Sequence, residues 1–566
     1  MARPRTSAYE IGERYEQSLS DRERRLGAHF TPADVAEALV ARAWEAHDHD
    51  VAAGPVFCDP SCGGGAFLIA AANRLHREGH SPRRIVERLV VGIDLDPGAV
   101  EASTQALIHW ADEALAAAGA PGAAVADAAV ADAGVAVAGV AVADPRATVT
   151  PRVFLADGLI DPLDEVGPID IVVGNPPFQN QLGADTARDA AQRAAVVERF
   201  GLAAKGYVDV ASLFILRALR LVRPGGTVCL IQPRSLLAAR DSAAVRASVL
   251  EGNRLDAVWL PGSKIFAAAV DVCAPIITAG VGDAAWSTRV IGGRLADIEL
   301  GRVSREQLAA APAWSPLWAV ATGVPTVEGP RGEPAASPSS ALTIGDLATA
   351  TAGFRDQFYG VVAHLVAEQP RRGARVVSTG MIDPLALSWS TRSSKIGGAA
   401  WVAPWVDLDA VAASDPDLDA WIARQLTPKV LVATQTKVLE VVEDQRGDLV
   451  PLTPVISVVP RGEVSVAHLA AALLVPAATA WAAARFGGGG MSHTALKLAA
   501  KQVLEIPVPC DADAWGVAAE RVQRGAPDTP EGWLDLAATL NASWGIDDAE
   551  LAAWWVARLP QMSSRR

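Results

Sequence analysis

The chain is poor in cysteine, methionine and tyrosine: five, four and four among 566 residues. None of Cys58, Cys62, Cys229, Cys273 and Cys510 belongs to a C-x-x-C pair, and no His/Cys cluster has the spacing of a zinc site. Five cysteines in so long a chain argue against a disulfide scaffold and for a reducing cytoplasm. An excess of basic charge is also missing: 50 Lys and Arg stand against 64 Asp and Glu, a net charge of −14. That mean still leaves room for a local basic face. The deficit is uneven, since residues 341–510 carry 14 basic and 15 acidic residues while residues 1–340 carry 31 and 40. Residues 1–21 mix both charges around no apolar core, so they do not read as a signal peptide. The uncharged stretch 464–484 contains Ser465, His468, Pro476 and many alanines, and reads as a buried helix, not a membrane span.

What is present is an alternation of short apolar runs and amphipathic stretches. Residues 22–44 read as a turn and then a helix, with Thr31 as N-cap, Pro32 at the first helical position and Val35, Leu39 and Val40 on the apolar stripe. Residues 56–58, 89–94, 153–155, 169–173 and 227–232 read as buried strands, with helices such as 66–76 and 210–222 between them. This rhythm predicts an α/β fold, a mostly parallel doubly wound sheet covered on both faces. The division expected is a helical segment over 1–45, a catalytic domain over 46–312, a Pro/Gly/Ser-rich linker over 313–340, a mixed α+β domain over 341–510 and a helical tail over 511–566. Residues 119–150 are low in complexity, with Ala-Val-Ala-Asp three times, and read as a surface insertion.

Four polar constellations fall where strands end. The first is Asp59-Pro60-Ser61-Cys62-Gly63-Gly64-Gly65, between a strand and a helix. Its glycines let backbone approach a ligand closely, and ligands of open parallel sheets bind at the carboxyl ends of strands. A phosphate loop wants a Lys or a bare helix N-terminus; this loop offers the carboxylate of Asp59, which suits a cationic group. The second is Asp94-Leu95-Asp96-Pro97, where Asp94 can accept both hydroxyls of a ribose and Asp96 caps the next helix. The third is Asp157, either an acceptor for an adenine amine or a turn aspartate. The fourth is Asn175-Pro176-Pro177-Phe178, closing the strand 169–173. Two prolines fix the backbone, so the Asn175 amide oxygen and the Pro176 carbonyl can face one exocyclic amine together. Phe178 offers a ring to stack on a base and to stabilise positive charge.

In this order and spacing the motifs resemble the gamma class of amino DNA methyltransferases, over residues 20–280. Gly27-Ala28-His29-Phe30-Thr31-Pro32 resembles the opening segment of that class, Asp209 to Phe214 the helix beside the cofactor adenine, Arg223-Pro224-Gly225-Gly226 and Gln232-Pro233 the next strand and its exit, and Lys264-Ile265-Phe266 with Ala269-Val270 the segment carrying a second aromatic. Residues 342–354, 428–432 and 469–509 resemble, more loosely, a target-recognition domain, with the run 487–490, Ser492 and His493 as a loop.

The resemblance implies a Rossmann-like domain that binds S-adenosylmethionine through Thr31, Asp59, Pro60, Ser61, Gly63, Gly65, Asp94, Leu95, Asp157, Asn175 and Phe214. It implies catalysis of adenine-N6 methylation at Asn175, Pro176, Pro177 and Phe178, on a base flipped from double-stranded DNA and held by Phe178 and Phe266. Lys395, Lys429 and Lys437, with Arg392 and Lys497, are candidate phosphate contacts. No metal and no membrane partner is expected. The expected setting is cytoplasmic restriction-modification or phage defence, with other subunits of such a system as further partners. Two other readings stand beside this one: a methyltransferase for an RNA exocyclic amine or a protein glutamine, which shares the Asn-Pro-Pro-aromatic turn, and a non-catalytic DNA-binding subunit.

Overall fold

The structure, a computed structural model, describes residues 7–19, 31–48, 53–118, 149–178, 190–204, 208–266, 271–282, 285–295, 298–330, 342–353, 355–490, 492 and 494–560. Gly27 to Phe30, Ala269-Val270, His493 and residues 119–148 of the expected insertion lie outside them. The chain divides into two compact units, Met1–Ala321 and Thr322–Arg566.

The first unit is built on a ten-stranded sheet. Its strands are β1 (Phe57–Asp59), β2 (Val90–Asp94), β3 (Arg152–Leu155), β4 (Ile169–Gly174), β5 (Val222–Leu230), β6 (Gln232–Pro233), β7 (Arg254–Trp259), β8 (Val272–Thr278), β9 (Ser287–Gly292) and β10 (Ile298–Ser304). They lie side by side as β3-β2-β1-β4-β5-β8-β7-β9-β10, with β6 on β8. Strands β1 to β5 are mutually parallel, and β8 runs antiparallel to both β5 and β7. The central strands are apolar runs because both of their faces are covered: all three residues of β1 are buried, as are five of the six of β4. The strand order reverses between β1 and β4, where an open α/β sheet has its binding crevice.

The described helices of the first unit include α1 (Ala8–Ser18), α2 (Ala33–Ala46), α3 (Ala66–Arg77), α4 (Pro97–Ala118), α5 (Ala190–Phe200), α6 (Val210–Leu221) and α7 (Ala243–Leu250). Helix α3 follows Gly65, whose φ of +83° turns the chain from loop into helix. Its last turn carries Arg74, His76 and Arg77 against the negative end of the helix dipole. Helix α2 starts at Ala33 with Pro32 as its N-cap and no side-chain cap. The expected capping by Thr31 is therefore corrected: that hydroxyl is engaged elsewhere, as described below. The first part of the expected linker is also ordered. Helix α8 (Ser315–Ala321) packs in the first unit, with Trp314, Leu317 and Trp318 buried.

The second unit holds two four-stranded sheets. One is antiparallel, in the order β11 (Ala348–Ala352), β22 (Ile456–Pro460), β19 (Lys429–Ala433), β20 (Glu440–Asp444); the other is mixed, in the order β12 (Leu365–Val366), β18 (Trp405–Asp407), β13 (Gly373–Val377), β21 (Leu449–Pro451). Two short hairpins, β14–β15 (Ile382–Asp383, Ala386–Leu387) and β16–β17 (Ser394–Ile396, Ala399–Trp401), complete its strands. The uncharged stretch 464–484 forms two buried helices, Val466–Leu474 and Pro476–Phe486, bent by 65° where Pro476 cannot continue the first. No single described helix is long and apolar enough to cross a membrane. The C-terminal helices Ala512–Gln523, Pro530–Ala542 and Ala549–Val556 close this unit. Trp515 donates to the His468 carbonyl at 2.8 Å, Asn541 Oδ1 accepts from the Ala477 N–H at 3.2 Å, and Trp533, Trp544 and Trp555 are fully buried.

Candidate active site

At the switch point, β1 ends in Asp59 and β4 ends in Gly174, directly before Asn175. The two ends touch: a Cβ on Gly174 would stand 2.5 Å from Asp59 Oδ1. Glycine is therefore required at 174 for a carboxylate to sit there. Asp59 is 1% exposed and accepts from the Ser61 N–H at 3.0 Å. Burial pushes its carboxyl up to about 8, opposed by the Ser61 N–H and reinforced by the charge of Asp94. Pro60 is buried, and its carbonyl lies against Gly158.

Asp94 closes β2. Its Oδ2 accepts from the Gly63 N–H at 2.8 Å and its Oδ1 from the Asp96 N–H at 2.9 Å. Burial raises this carboxyl as well, against those N–H groups. Leu95 stands 49% exposed beside it, and Leu155, paired in register with Asp94 across β2–β3, is 58% exposed. Two bare leucines at the carboxyl edge of a sheet, next to an acid, suit a flat apolar ring. Leu155 was missed by the reading of the sequence; only the strand register brings it to Asp94.

Asp157 makes the contacts of a turn aspartate. Its Oδ1 caps the Leu159 N–H at 2.9 Å and its carbonyl accepts from Ile160 and Asp161. Phe214 is buried on α6, whose N-terminus is capped by Asp209.

Asn175 Nδ2 donates to Thr31 Oγ1 at 3.1 Å. The opening segment and the proline turn, 144 residues apart in the chain, are thus joined in one site. Anchoring the NH2 of the amide on Thr31 fixes which way its carbonyl oxygen faces. Pro176 is buried, Pro177 half-buried, and Phe178 half-buried against a core cluster that also contains Phe266. The sheet register carries Gln232 to the strand beside Pro176: Gly174 pairs with Leu230, and the Ile231 N–H donates to the Gly174 carbonyl.

Helix α1 lies inside the helical segment expected over 1–45, but its place in the site was not read from the sequence. A Cβ on Gly12 would stand 2.0 Å from the Gly64 carbonyl oxygen, so this helix lies directly on the glycine loop. Tyr15 donates to Asp96 Oδ2, and the Gly64 backbone favours the ionised form of Glu16. Gly12 and Glu16, one turn apart, are the signal that could have been read. Ser103 also donates to the Gly63 carbonyl at 2.6 Å.

In the second unit the basic residues part company. Lys429 is fully buried: its Nζ meets Asp444 Oδ2 at 2.5 Å and the carbonyls of Gln425 and Thr427 at 2.6 and 3.2 Å. Its assignment as a phosphate contact is corrected, because the charge is already neutralised inside the fold. Arg392 is held by both oxygens of Asp383. Lys395, Lys437 and Lys497 are exposed, and a backbone bridge between Thr436 and Leu496 brings the last two loops together. Among the described residues no group of His, Cys, Asp and Glu could hold a metal ion.

Parallel strands, a glycine loop and acids at the switch point define a Rossmann-like domain, here with a second, mixed α/β unit. Residues 7–119 match the N-6 DNA Methylase family and residues 140–266 the Eco57I restriction-modification methylase family. Both matches fall within the first unit. Among curated proteins the chain is similar to the Type II methyltransferase M.BanIII of Aneurinibacillus aneurinilyticus, 24% identical over 255 residues, which cover 44% of this chain and 38% of that protein. The match therefore spans less than half of that relative's length. Among solved structures it is similar to the Type IIL restriction-modification enzyme MmeI in complex with DNA, with a TM-score of 0.63 at 14% identity, covering 99% of this chain and 82% of that one. It is also similar to a DrdV–DNA complex, with a TM-score of 0.51 at 11% identity, covering 93% of this chain and 62% of that one. At these identities the structural likeness establishes the fold.

Proposed function

We propose that this chain is a site-specific DNA methyltransferase that modifies the N6 amine of adenine with S-adenosylmethionine, in a cytoplasmic restriction-modification or phage-defence system. The observation that carries this reading is the Asn175 turn at the tip of β4, tied to Thr31 and abutting Asp59. The pocket fits the cofactor. Asp59 matches its ammonium, Asp94 its ribose hydroxyls, and Leu95 and Leu155 its adenine ring. Ser61 Oγ and Glu16 Oε2 are buried there without a hydrogen-bond partner among the described residues, as polar atoms awaiting a ligand are. The cofactor supplies an electrophilic methyl on a sulfonium.

The protein's own part is to present the amine. An adenine inside a duplex cannot reach the tip of β4, so it is flipped out, at a cost of about a few kcal/mol. Phe178 stacks on the base, with Phe266 behind it in the same cluster. The Asn175 amide oxygen and the Pro176 carbonyl accept the two amine hydrogens, which draws the nitrogen toward a tetrahedral shape and frees its lone pair. Fixed geometry provides much of the acceleration. We take the second unit as the target-recognition domain, with Lys395, Lys437 and Lys497 contacting phosphates. Methylation-sensitive long-read sequencing of DNA from cells expressing the chain tests the reading. N6-methyladenine at one recurring motif is expected; unmodified adenine throughout contradicts it.

A further inference from the structure

We infer that Glu16 is a third carboxylate of the cofactor pocket, the counter-charge that makes the pocket prefer a cationic ligand to its neutral-sulfur product. The inference rests on the reading that this pocket takes S-adenosylmethionine.

Glu16 reaches the pocket because Gly12, one turn earlier on α1, packs on Gly64 without room for a side chain. The Gly64 backbone favours its ionised form. Its Oε1 lies 3.5 Å from where a Cβ on Gly63 would stand, and its Oε2 is withdrawn from solvent and meets no donor among the described residues. The same loop gives the Gly63 N–H to Asp94 and begins at Asp59. Three carboxylates therefore share one short loop.

Among the described residues, the neighbouring charges that act on the three are themselves acidic: Glu13, Asp94 and Asp96. Burial pushes Glu16 up to about 7 and Asp59 to about 8. Like charges buried together without a cation are costly, and a cationic ligand removes that cost. S-Adenosylmethionine carries two positive charges, the ammonium and the sulfonium. With Asp59 matched to the ammonium and Asp94 to the ribose, Glu16 is the carboxylate left over. Once the methyl has gone, the sulfur is neutral and Glu16 has less to hold, which favours product release.

The test is calorimetric titration of the full chain with S-adenosylmethionine and, separately, with S-adenosylhomocysteine, for wild type, Glu16→Gln and Glu13→Gln. Glu16→Gln is expected to weaken S-adenosylmethionine by roughly tenfold or more and the product by less than about threefold, the scale of one close charge pair. Glu13→Gln is expected to leave both within about threefold. Without ligand at pH 8, Glu16→Gln is expected to melt at or above the wild-type temperature, because it removes a buried like charge. Equal weakening of both ligands, no weakening, or a lowered melting temperature with both ligands lost overturns the inference and leaves Glu16 a structural hydrogen-bonding group. Wild type that binds neither ligand overturns the cofactor reading, and this inference with it.

Discussion

Asn175 and Asp59 touch through Gly174, yet they do different work, and each can be removed separately. Asn175→Ala takes away an amine acceptor and leaves the three carboxylates. Methyl transfer is expected to fall by about 10²-fold or more, the scale of losing one preorganised polar contact in a transition state, while calorimetry still detects cofactor binding. Asp59 makes a pH prediction. Its folded-state carboxyl sits at about 8, above the ordinary value of 3.8. The folded, ligand-free protein therefore binds more protons than the unfolded chain between about pH 4 and 8, and loses stability as pH rises through that window. Asp59→Asn is accordingly expected to raise the melting temperature more at pH 9 than at pH 5. A cationic ligand needs the ionised acid, so below pH 8 binding is expected to release a proton and to weaken toward tenfold per unit of falling pH. Titrations in two buffers of different ionisation enthalpy measure this release; wild-type binding without it contradicts the assignment of Asp59. Both acids were legible in the sequence because each ends an apolar run. Glu16 was not: it meets the loop only through the packing of α1, 48 residues earlier in the chain than Gly64.

The elements were legible where hydrophobic periodicity ruled and hidden where register or proline did. Strands 56–58 and 169–173 were expected within a residue of β1 and β4, since buried parallel strands are nearly continuous apolar runs. The stretch 464–484 was read as one helix but broke into two at Pro476, which cannot continue the first. Lys429 was misread because its partner is chosen by strand pairing: β19 and β20 set Lys429 opposite Asp444. Lys429→Met leaves a buried carboxylate uncompensated and is expected to destabilise the protein by about 3–5 kcal/mol in chemical denaturation. Lys437→Ala, at an exposed position, is expected to alter stability by less than about 0.5 kcal/mol and to lower the salt-dependence slope of DNA binding by about 1. Gly12→Ala sets propensity against packing. Alanine favours a helix by about 1 kcal/mol, but here its Cβ would meet the Gly64 carbonyl oxygen at 2.0 Å. Packing is expected to win, with a lower melting temperature and weakened cofactor binding.

For the whole molecule, the sequence disclosed the α/β class and the succession of motifs, because local patterning sets both. It could not disclose the two sheets of the second unit, whose strands are short and paired across long separations, as Arg375 is with Leu449. With a net charge of −14, DNA contact has to come from a local basic face, and the salt dependence of DNA affinity is expected to scale with the number of phosphates that face neutralises. The central claim is that the crevice between β1 and β4 methylates a nucleobase amine. The direct measurement incubates the purified full chain with methyl-labelled S-adenosylmethionine and, in parallel, duplex DNA, RNA and a glutamine-containing polypeptide, then digests each product and identifies the labelled residue. Label recovered in DNA as N6-methyladenine, and lost in Asn175→Ala, is the predicted result; label confined to RNA or polypeptide, or absent from all three, contradicts it.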